Sequence, residues 1–170
     1  MGYTTEFSGS FKLDRKLNPE HAEYLRTFAH TRRMARNVNR AEELPDPKRW
    51  AAGLPIGAQG GYFVGGFLKS VTEDASVTDF NKPPAMQPGL WCQWTVGDDD
   101  QTIKWDGGEK FYYYVEWLRY LIQHFIGFWG YKLNGEVSWE GERSGDMGQI
   151  VVRDNVITTR VWRVFFEDAE

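Results

Sequence analysis

Apolar and polar residues alternate through the start of the chain. Phe11 and Leu13 fall on one side of an extended backbone and Lys12 falls on the other, and the same alternation holds over residues 3–14. A period of two residues is typical of a strand with one buried face. Gly9 lies inside this run and predicts a bulge or bend. We therefore expect the first element to be a half-buried β-strand.

A helical pattern follows the first strand. Asn18 is a favourable N-cap residue, and Pro19 suits the first helical position. Apolar residues then recur at helical spacing, which predicts a helix from here to about Arg36. Pro45 and Pro47 prevent the helix from continuing much further.

The segment after this helix is rich in glycine and proline. Within residues 38–89, a short strand at residues 62–64 is the one regular element that we predict. Long segments of this kind are often functional or mobile loops. We interpret residues 38–89 as an insertion into the fold.

Regular patterns resume after the insertion. Asp106 begins a sequence that resembles a capping box, which predicts the start of the main helix, and Gly130 ends that helix near Phe128. Asp154 and Asn155 tolerate the positive φ angles of a tight turn and predict a terminal hairpin. The strands predicted in this half of the chain are residues 90–96, 102–105, 131–139, 149–153 and 156–166.

The order of these elements indicates the fold class. Strand, helix, strand, strand, helix and strand follow one another, which is the ferredoxin-like order βαββαβ, and a hairpin is added at the end. We therefore predict an α+β fold, in which two helices pack on one face of an antiparallel sheet and a C-terminal β-hairpin extends it. A length of 170 residues suits one domain. We predict a single α+β domain over residues 1–170, with the Gly/Pro-rich insertion at about 38–89.

The main helix carries two apolar stripes. The core-facing stripe is Phe111, Val115, Leu118, Ile122 and Phe125. The second stripe, nearly opposite, consists of four residues that we predict as partner-binding, because Tyr and Trp are enriched at interfaces. Packing against the first helix or the insertion is an alternative, and a ligand pocket is another. The four residues are Tyr113, Trp117, Tyr120 and His124.

The sheet face opposite the helices is a second candidate site. An exposed Trp on an open sheet is a feature of single-stranded RNA binders, but this face carries carboxylates where such proteins need basic residues. A solvated face is one interpretation, and a site for a small polar ligand or a cation is the other. Its predicted ligand-binding residues are Trp91, Gln93, Glu6, Asn134 and Glu136.

One basic cluster lies in and after the first helix. Between Arg26 and Arg40 there is no acidic residue. The cluster predicts contact with phosphate, RNA or an acidic partner, although such runs are also the solvated outer face of a helix. The residues that we predict as anion-binding are Arg32, Arg33 and Arg36.

Composition limits the class of protein. Hydrophobic residues make up 41% and aromatic residues 16%, with eight Trp, so a core can be built from rings. The net charge of −4 does not favour nucleic acid as a partner. One cysteine, Cys92, permits no internal disulfide, and neither a signal peptide nor a membrane span is indicated. We expect a soluble cytoplasmic protein.

No known enzyme motif is present in the sequence. The glycines of GAQGGYFVGG lack the Lys-Ser/Thr of a phosphate-binding loop. The histidines and the cysteine have no metal-ligand spacing, and we predict no metal and no cofactor. Glu136, Glu140 and Glu142 share a strand face, but acid–base chemistry would require a pKa raised by burial or by a close neighbour. A non-enzymatic protein is the favoured class.

Five segments carry a resemblance to known proteins: GYTTEFSGSFKLD, RRMARN, QPGLWCQW, KWDGGEKFYYYVEWLRYLI and GYKLNGEVSWEGE. Through them, most of the chain resembles a family of small uncharacterised proteins found in bacteriophage and bacterial genomes. The resemblance implies no catalytic residues. It implies a setting in which small phage-encoded proteins bind host machinery, including defence systems.

These observations lead to a prediction of function. We expect a non-enzymatic, phage-type accessory protein that acts by protein–protein binding in the host cytoplasm, with a host or defence protein or a second copy of the chain as its partner. A small-ligand or nucleotide-binding domain is the first alternative. An enzyme of an unrecognised type is the second.

Overall fold

A computed structural model describes residues 2–65 and 74–170 of the chain, which form a mixed α and β structure. The strands are β1 (Thr5–Leu13), β2 (Ala35–Arg36), β3 (Val77–Asp79), β4 (Trp94–Val96), β5 (Thr102–Trp105), β6 (Leu133–Gly141), β7 (Met147–Arg153) and β8 (Val156–Val161). The helices are α1 (Pro19–Ala29), α2 (Val38–Glu42), α3 (Pro47–Ala51) and α4 (Tyr114–Leu121).

A six-stranded antiparallel sheet is the centre of the fold. Its strand order is β4-β5-β1-β6-β7-β8, and β2 and β3 form a separate two-stranded sheet. The long β1 pairs along its whole length with β6, from Thr5 opposite Gly141 to Leu13 opposite Leu133. The β1–β6 pair therefore forms the centre of the sheet.

The alternation predicted for the first strand is confirmed. Phe11 and Leu13 are buried while Glu6 and Lys12 are exposed. Gly9 has a φ of +96°, and a Cβ at this position would lie 2.7 Å from the backbone oxygen of Glu136. A side chain is therefore excluded here both by the backbone conformation and by the close approach of β6.

The first helix is shorter than predicted. It ends at Ala29, and the prediction of a helix to about Arg36 was wrong. After Ala29 the backbone turns to the insertion, since the N–H of Arg33 donates to Leu90 O and the N–H of Ala35 donates to Lys82 O. These long-range hydrogen bonds replace the helical ones that the local pattern favours.

The insertion contains more regular structure than its composition suggested. It includes α2, α3 and a 3-10 turn at Ala58–Gly60. The strand predicted at residues 62–64 is absent, because Phe63 N–H closes a turn by donating to Gly60 O. A small second core of Ala41, Ile56 and Phe63 lies within it.

The main helix also differs from its prediction. Tyr113 has a left-handed φ of +57°, so α4 begins at Tyr114 and the predicted start at Asp106 was wrong. The Asp106 carboxylate accepts a hydrogen bond from Gly108 N–H in a local turn instead. A π-helical turn, Ile122–Ile126, continues α4, and Gly130 follows with a φ of +86°.

The other strands and the terminal hairpin match their predictions in part. Only Trp94–Val96 of the strand predicted at residues 90–96 is regular, and β6 is shifted two residues along from its prediction. Asp154 and Asn155 form the predicted turn, with φ angles of +45° and +69°. The last strand ends at Val161 rather than at residue 166.

The core is built from rings. Side chains from α1, α4, the π-helical turn and the inward side of the sheet share one buried cluster, in which Phe28, Trp94, Trp117 and Phe125 are almost wholly buried. Edge-to-face pairs dominate its geometry, such as Trp94 against Phe111 with ring centroids 5.3 Å apart. None of the helices that the structure describes is long and apolar enough to cross a membrane.

Candidate functional site

The second stripe of the main helix is divided between core and surface. Trp117 and Tyr120 are buried, while Tyr113 is 58% exposed. His124 is half-buried, stacks on Tyr120 with ring centroids 4.1 Å apart and shares a 2.7 Å hydrogen bond with Tyr62 Oη. The four residues therefore do not form one exposed surface, and the packing alternative accounts for most of them. Partner binding through this stripe stays a prediction that rests on Tyr113.

The glutamine that begins QPGLWCQW belongs to a buried polar network. Gln87 Nε2 donates to Gly61 O at 2.6 Å and to Tyr120 Oη at 3.0 Å. Arg33, in the segment after α1, completes the network with its Nε 3.1 Å from Gln87 Oε1. Burial raises the pKa of Tyr120 to about 12. This part of the aromatic-rich sequence is therefore structural, because it joins the insertion to α4 and to the segment after α1.

Two more residues of that segment, Cys92 and Trp94, belong to the core. Cys92 is fully buried, and burial raises the pKa of its thiol to about 12. Trp94 is buried and its Nε1 donates to Tyr114 O at 2.8 Å. A thiol with so high a pKa is no nucleophile at neutral pH. The exposed exception is Trp91, at 44%.

The predicted anion-binding arginines donate to groups of the protein itself. Arg33 is 2% exposed and its guanidinium also donates to Phe63 O and Gly61 O at 3.0 and 2.7 Å. Arg36 forms a buried ion pair with Asp74 at 2.6 Å.

The third of these arginines, Arg32, is partly buried. It donates to Phe80 O and stacks over the Phe80 ring, 4.0 Å from its centroid. All three arginines therefore hold the insertion in place. The two buried ones, Arg33 and Arg36, do not lie on a solvated helix face. An anion-binding role stays a prediction.

The open side of the sheet holds most of the predicted ligand-binding residues, but does not bring them together. Glu136 lies 3.5 Å from Arg153 and accepts a hydrogen bond from Gln149. Asn134 accepts from the N–H of Asp154 in the hairpin turn. Gln93 is bound to Trp105 and to the backbone of Glu109. Trp91 lies outside β4, so it is not part of the regular sheet.

Glu6, in contrast, lies in a groove. On the side of the sheet opposite the core, Glu6 of β1 stands directly opposite Glu140 of β6, which stands opposite Met147 of β7. Trp162 continues this row, since its N–H donates to Met147 O at 3.0 Å. The cavity between these residues has a volume of about 260 Å³, and Phe7, Ser8, Ser138 and Trp139 complete its lining. We call it the outer-face groove.

Two charges of the same sign meet in the outer-face groove. Directly opposed residues on an antiparallel pair have Cβ atoms about 4.5–5.5 Å apart, and like charges at this spacing are destabilising by roughly 0.2–1 kcal/mol. The Trp162 ring, 45% exposed, lies at the end of the same row. An acidic pair and an aromatic face that line one groove are an arrangement that attracts a cation.

The loop between β6 and β7, next to the groove, is bound to the start of the chain. Tyr3 Oη donates to the Asp146 carboxylate, and that hydrogen bond raises the pKa of Tyr3. The N–H of Arg143 donates to Tyr3 Oη at 3.1 Å, and the N–H of Thr4 donates to Glu142 at 2.6 Å. The loop between β6 and β7 is therefore tied to β1, which holds the opposed carboxylates of these strands in register.

The three glutamates considered for acid–base chemistry do not share one site. Glu136 pairs with Arg153, Glu142 accepts from Thr4 N–H, and Glu140 lies in the outer-face groove. Within residues 2–65 and 74–170, no group of three or more His, Cys, Asp or Glu is placed to hold a metal ion. Comparison with family models, with curated proteins and with solved structures finds no match.

Sequence reasoning identified one side of the groove and missed the other. Glu6 was assigned to the open face by alternation along its strand, and Glu140 was placed on the same strand face as Glu136. Trp162 and Met147 were missed, because the last hairpin was not aligned with β6 before the register was known. Alternation on both strands of that hairpin was the signal that could have found them.

Proposed function

We propose that this protein is a non-enzymatic binding protein and that its outer-face groove holds a cationic side chain, Lys or Arg, of a protein partner. The observation that carries this proposal is the placement of Glu6 opposite Glu140 in a groove that also contains the Trp162 ring. Carboxylates accept charge-assisted hydrogen bonds from ammonium and guanidinium groups. A cation between them would also remove the repulsion of the carboxylate pair.

The aromatic side of the groove supports the same class of ligand. A cation over a Trp face gains about 0.5–1 kcal/mol at an exposed site and more when it is desolvated. Met147 offers the aliphatic part of a Lys or Arg side chain an apolar contact, and both ligands carry long methylene stems. The groove thus matches the charged end and the stem of such a side chain.

The size and charge of the groove favour a side chain over a nucleotide. At about 260 Å³ the cavity is below the roughly 300–1,000 Å³ of sites for drug-sized ligands. Its two carboxylates would also repel phosphate. The resemblance to small phage and bacterial proteins supports an accessory role that is exercised on host or defence proteins, in the cytoplasm of the host.

We also infer a ferredoxin-like arrangement for the central part of the fold. In the strand order β4-β5-β1-β6, the first strand lies between β5 and β6, and all its pairings are antiparallel. Helix α1 follows β1, and α4 follows β5. This order supports a βαββαβ unit that β7 and β8 extend at one edge.

The binding proposal can be tested with a defined probe. We would titrate the ¹⁵N-labelled protein with a tetra-arginine peptide and follow the indole N–H of Trp162 by NMR, with tetra-glutamate as the negative probe. We expect the Trp162 signal to shift with the arginine peptide alone. Glu140→Gln should weaken binding about three- to tenfold, because one charge-assisted contact becomes a neutral one.

Glu116→Gln is the matched control, since it removes the same charge from the exposed face of α4. It should leave binding unchanged. An arginine peptide that leaves Trp162 unshifted, or that binds Glu140→Gln as well as the unmodified protein, would refute the proposal.

A further inference from the structure

The last strand and the residues after it expose an unusual amount of apolar surface. We call residues 160–170 the edge segment. Within it, Val164 is 66% exposed, Phe165 is 81% exposed and Phe166 is 96% exposed. They follow directly on β8, which stands at one end of the sheet order. Among the strands that the structure describes, β8 pairs only with β7, so its outer edge is free.

Such an edge is a template for pairing with another strand. A free edge presents unpaired N–H and C=O groups, and native proteins protect edges with proline, charges or covering elements. The edge segment has no proline, and its apolar core VWRVFF is rich in β-branched and aromatic residues, which favour extended pairing. Exposed apolar patches of this kind mark interaction sites.

We propose that the edge segment pairs with the same segment of a second copy of this chain, antiparallel and related by a two-fold axis at Phe165. The edge segment includes Trp162 of the outer-face groove, but this inference does not depend on what the groove binds. In this register each residue stands opposite the residue of the partner subunit that lies equally far from Phe165 on its other side, as a two-fold axis through Phe165 requires. The two sheets would meet at the ends of their β8 strands, because Arg160 and Val161 are the residues of β8 that take part.

Charge complementarity argues for this occupant and this register. Arg163 would stand opposite Glu167 of the partner subunit, and Arg160 opposite Glu170 of the partner subunit. Symmetry repeats each pair, so the interface contains four opposite-charge pairs. A parallel, in-register pairing would instead place Arg163 beside Arg163 of the partner subunit, and directly opposed like charges are destabilising.

The apolar residues match in the same register. Val164 would stand opposite Phe166 of the partner subunit, and Phe165 would meet Phe165 of the partner subunit on the two-fold axis. Aromatic–aromatic and aromatic–β-branched pairs are favourable cross-strand contacts. Phe165 and Phe166, the most exposed large apolar side chains in the described part of the chain, therefore lie at the centre of the pairing.

The test is sedimentation equilibrium on the full chain over a range of concentrations. We expect a monomer–dimer equilibrium for the unmodified protein. Arg163→Glu and Glu167→Arg should each weaken the dimer tenfold or more, on the order of what two symmetry-related like-charge contacts produce. The double variant Arg163→Glu with Glu167→Arg restores the opposite-charge pairs, so it should restore the dimer. Because the edge segment is exposed, its charge changes do not threaten the core.

Arg119→Glu is the matched control, since it makes the same charge reversal on the exposed face of α4. It should leave the dimer unchanged. A chain that stays monomeric up to about 100 μM overturns the proposal. A dimer that both single reversals leave intact overturns it as well, because the interface then lies elsewhere. Open-ended assembly overturns the closed two-fold pairing.

Discussion

Replacing Arg33 by methionine should strongly destabilise the protein. The guanidinium of Arg33 is buried between α1 and the insertion, where it donates to Gln87 Oε1, Phe63 O and Gly61 O. It also lies over the Phe28 ring, 4.2 Å from its centroid. Methionine keeps the length of the stem and removes every one of these donors. The substitution therefore isolates the hydrogen bonds from the packing of the aliphatic part.

The size of the effect follows from the acceptors that lose their donor. Gly61 O keeps a second donor, Gln87 Nε2, whereas Phe63 O and Gln87 Oε1 lose the hydrogen bond from Arg33. A buried acceptor left unpaired costs about 1–3 kcal/mol. With the loss of the cation–π contact, we expect roughly 3–5 kcal/mol of destabilisation. That is a large part of the roughly 5–15 kcal/mol by which proteins are stable.

The cost of burying the Arg33 charge offsets part of the stability that its hydrogen bonds provide. Burial lowers the pKa of the Arg33 guanidinium, which shows that desolvation disfavours the charged form at this site. Buried charged groups can be replaced by apolar ones at little loss when all partners are replaced together. Arg33→Met replaces the donor but not its acceptors. The acceptors left without a donor therefore make the substitution destabilising.

The assay is urea unfolding followed by tryptophan fluorescence, with thermal unfolding as a second measurement. A loss of 3–5 kcal/mol corresponds to a fall in Tm of about 6–20 °C for a chain of this length. Arg32→Met is the matched control, because Arg32 is only partly buried and should lose less than about 1 kcal/mol. If Arg33→Met unfolds within 1 kcal/mol of the unmodified protein, the structural role assigned to Arg33 is refuted.

Three further predictions concern β1, the buried thiol and the pH dependence of stability. Gly9→Ala should destabilise the protein by about 1–3 kcal/mol in urea unfolding, since it forces a side chain into a positive φ against the backbone of β6; a neutral effect would contradict the close approach. Cys92 should resist alkylation by iodoacetamide at pH 8 until the protein unfolds, and rapid labelling of the native state would contradict its burial. Folding raises the pKa of Cys92 from about 9 to about 12 and that of Tyr120 from about 10 to about 12. Unfolded chains therefore lose these protons at lower pH than the folded protein. The free energy of unfolding measured in urea should fall as pH rises from about 9 to 12.

Local patterns along the chain predicted the elements whose contacts lie close in sequence or follow a simple period. The alternation around Phe11 gave the faces of β1 correctly, and the turn at Asp154–Asn155 joins β7 to β8 as expected. The core-facing stripe of the main helix was also predicted, with Leu118 and Phe125 fully buried. These features depend on the direction in which neighbouring side chains point, which the backbone period determines.

Other features were decided by contacts between distant parts of the chain. Arg33 has the sequence context of a charged helix face, yet its partners Gly61 and Phe63 bring it into the core and end the helix early. Trp162 lines the same groove as Glu140 only because β7 and β8 add to the edge of the sheet in one register. A side chain's propensity contributes at most about 1 kcal/mol, whereas a lost buried hydrogen bond or an orphaned charge costs several times more. The sequence by itself therefore determined the periodic elements and the faces they bury, and the tertiary structure decided which polar groups lie inside and which residues meet in the groove.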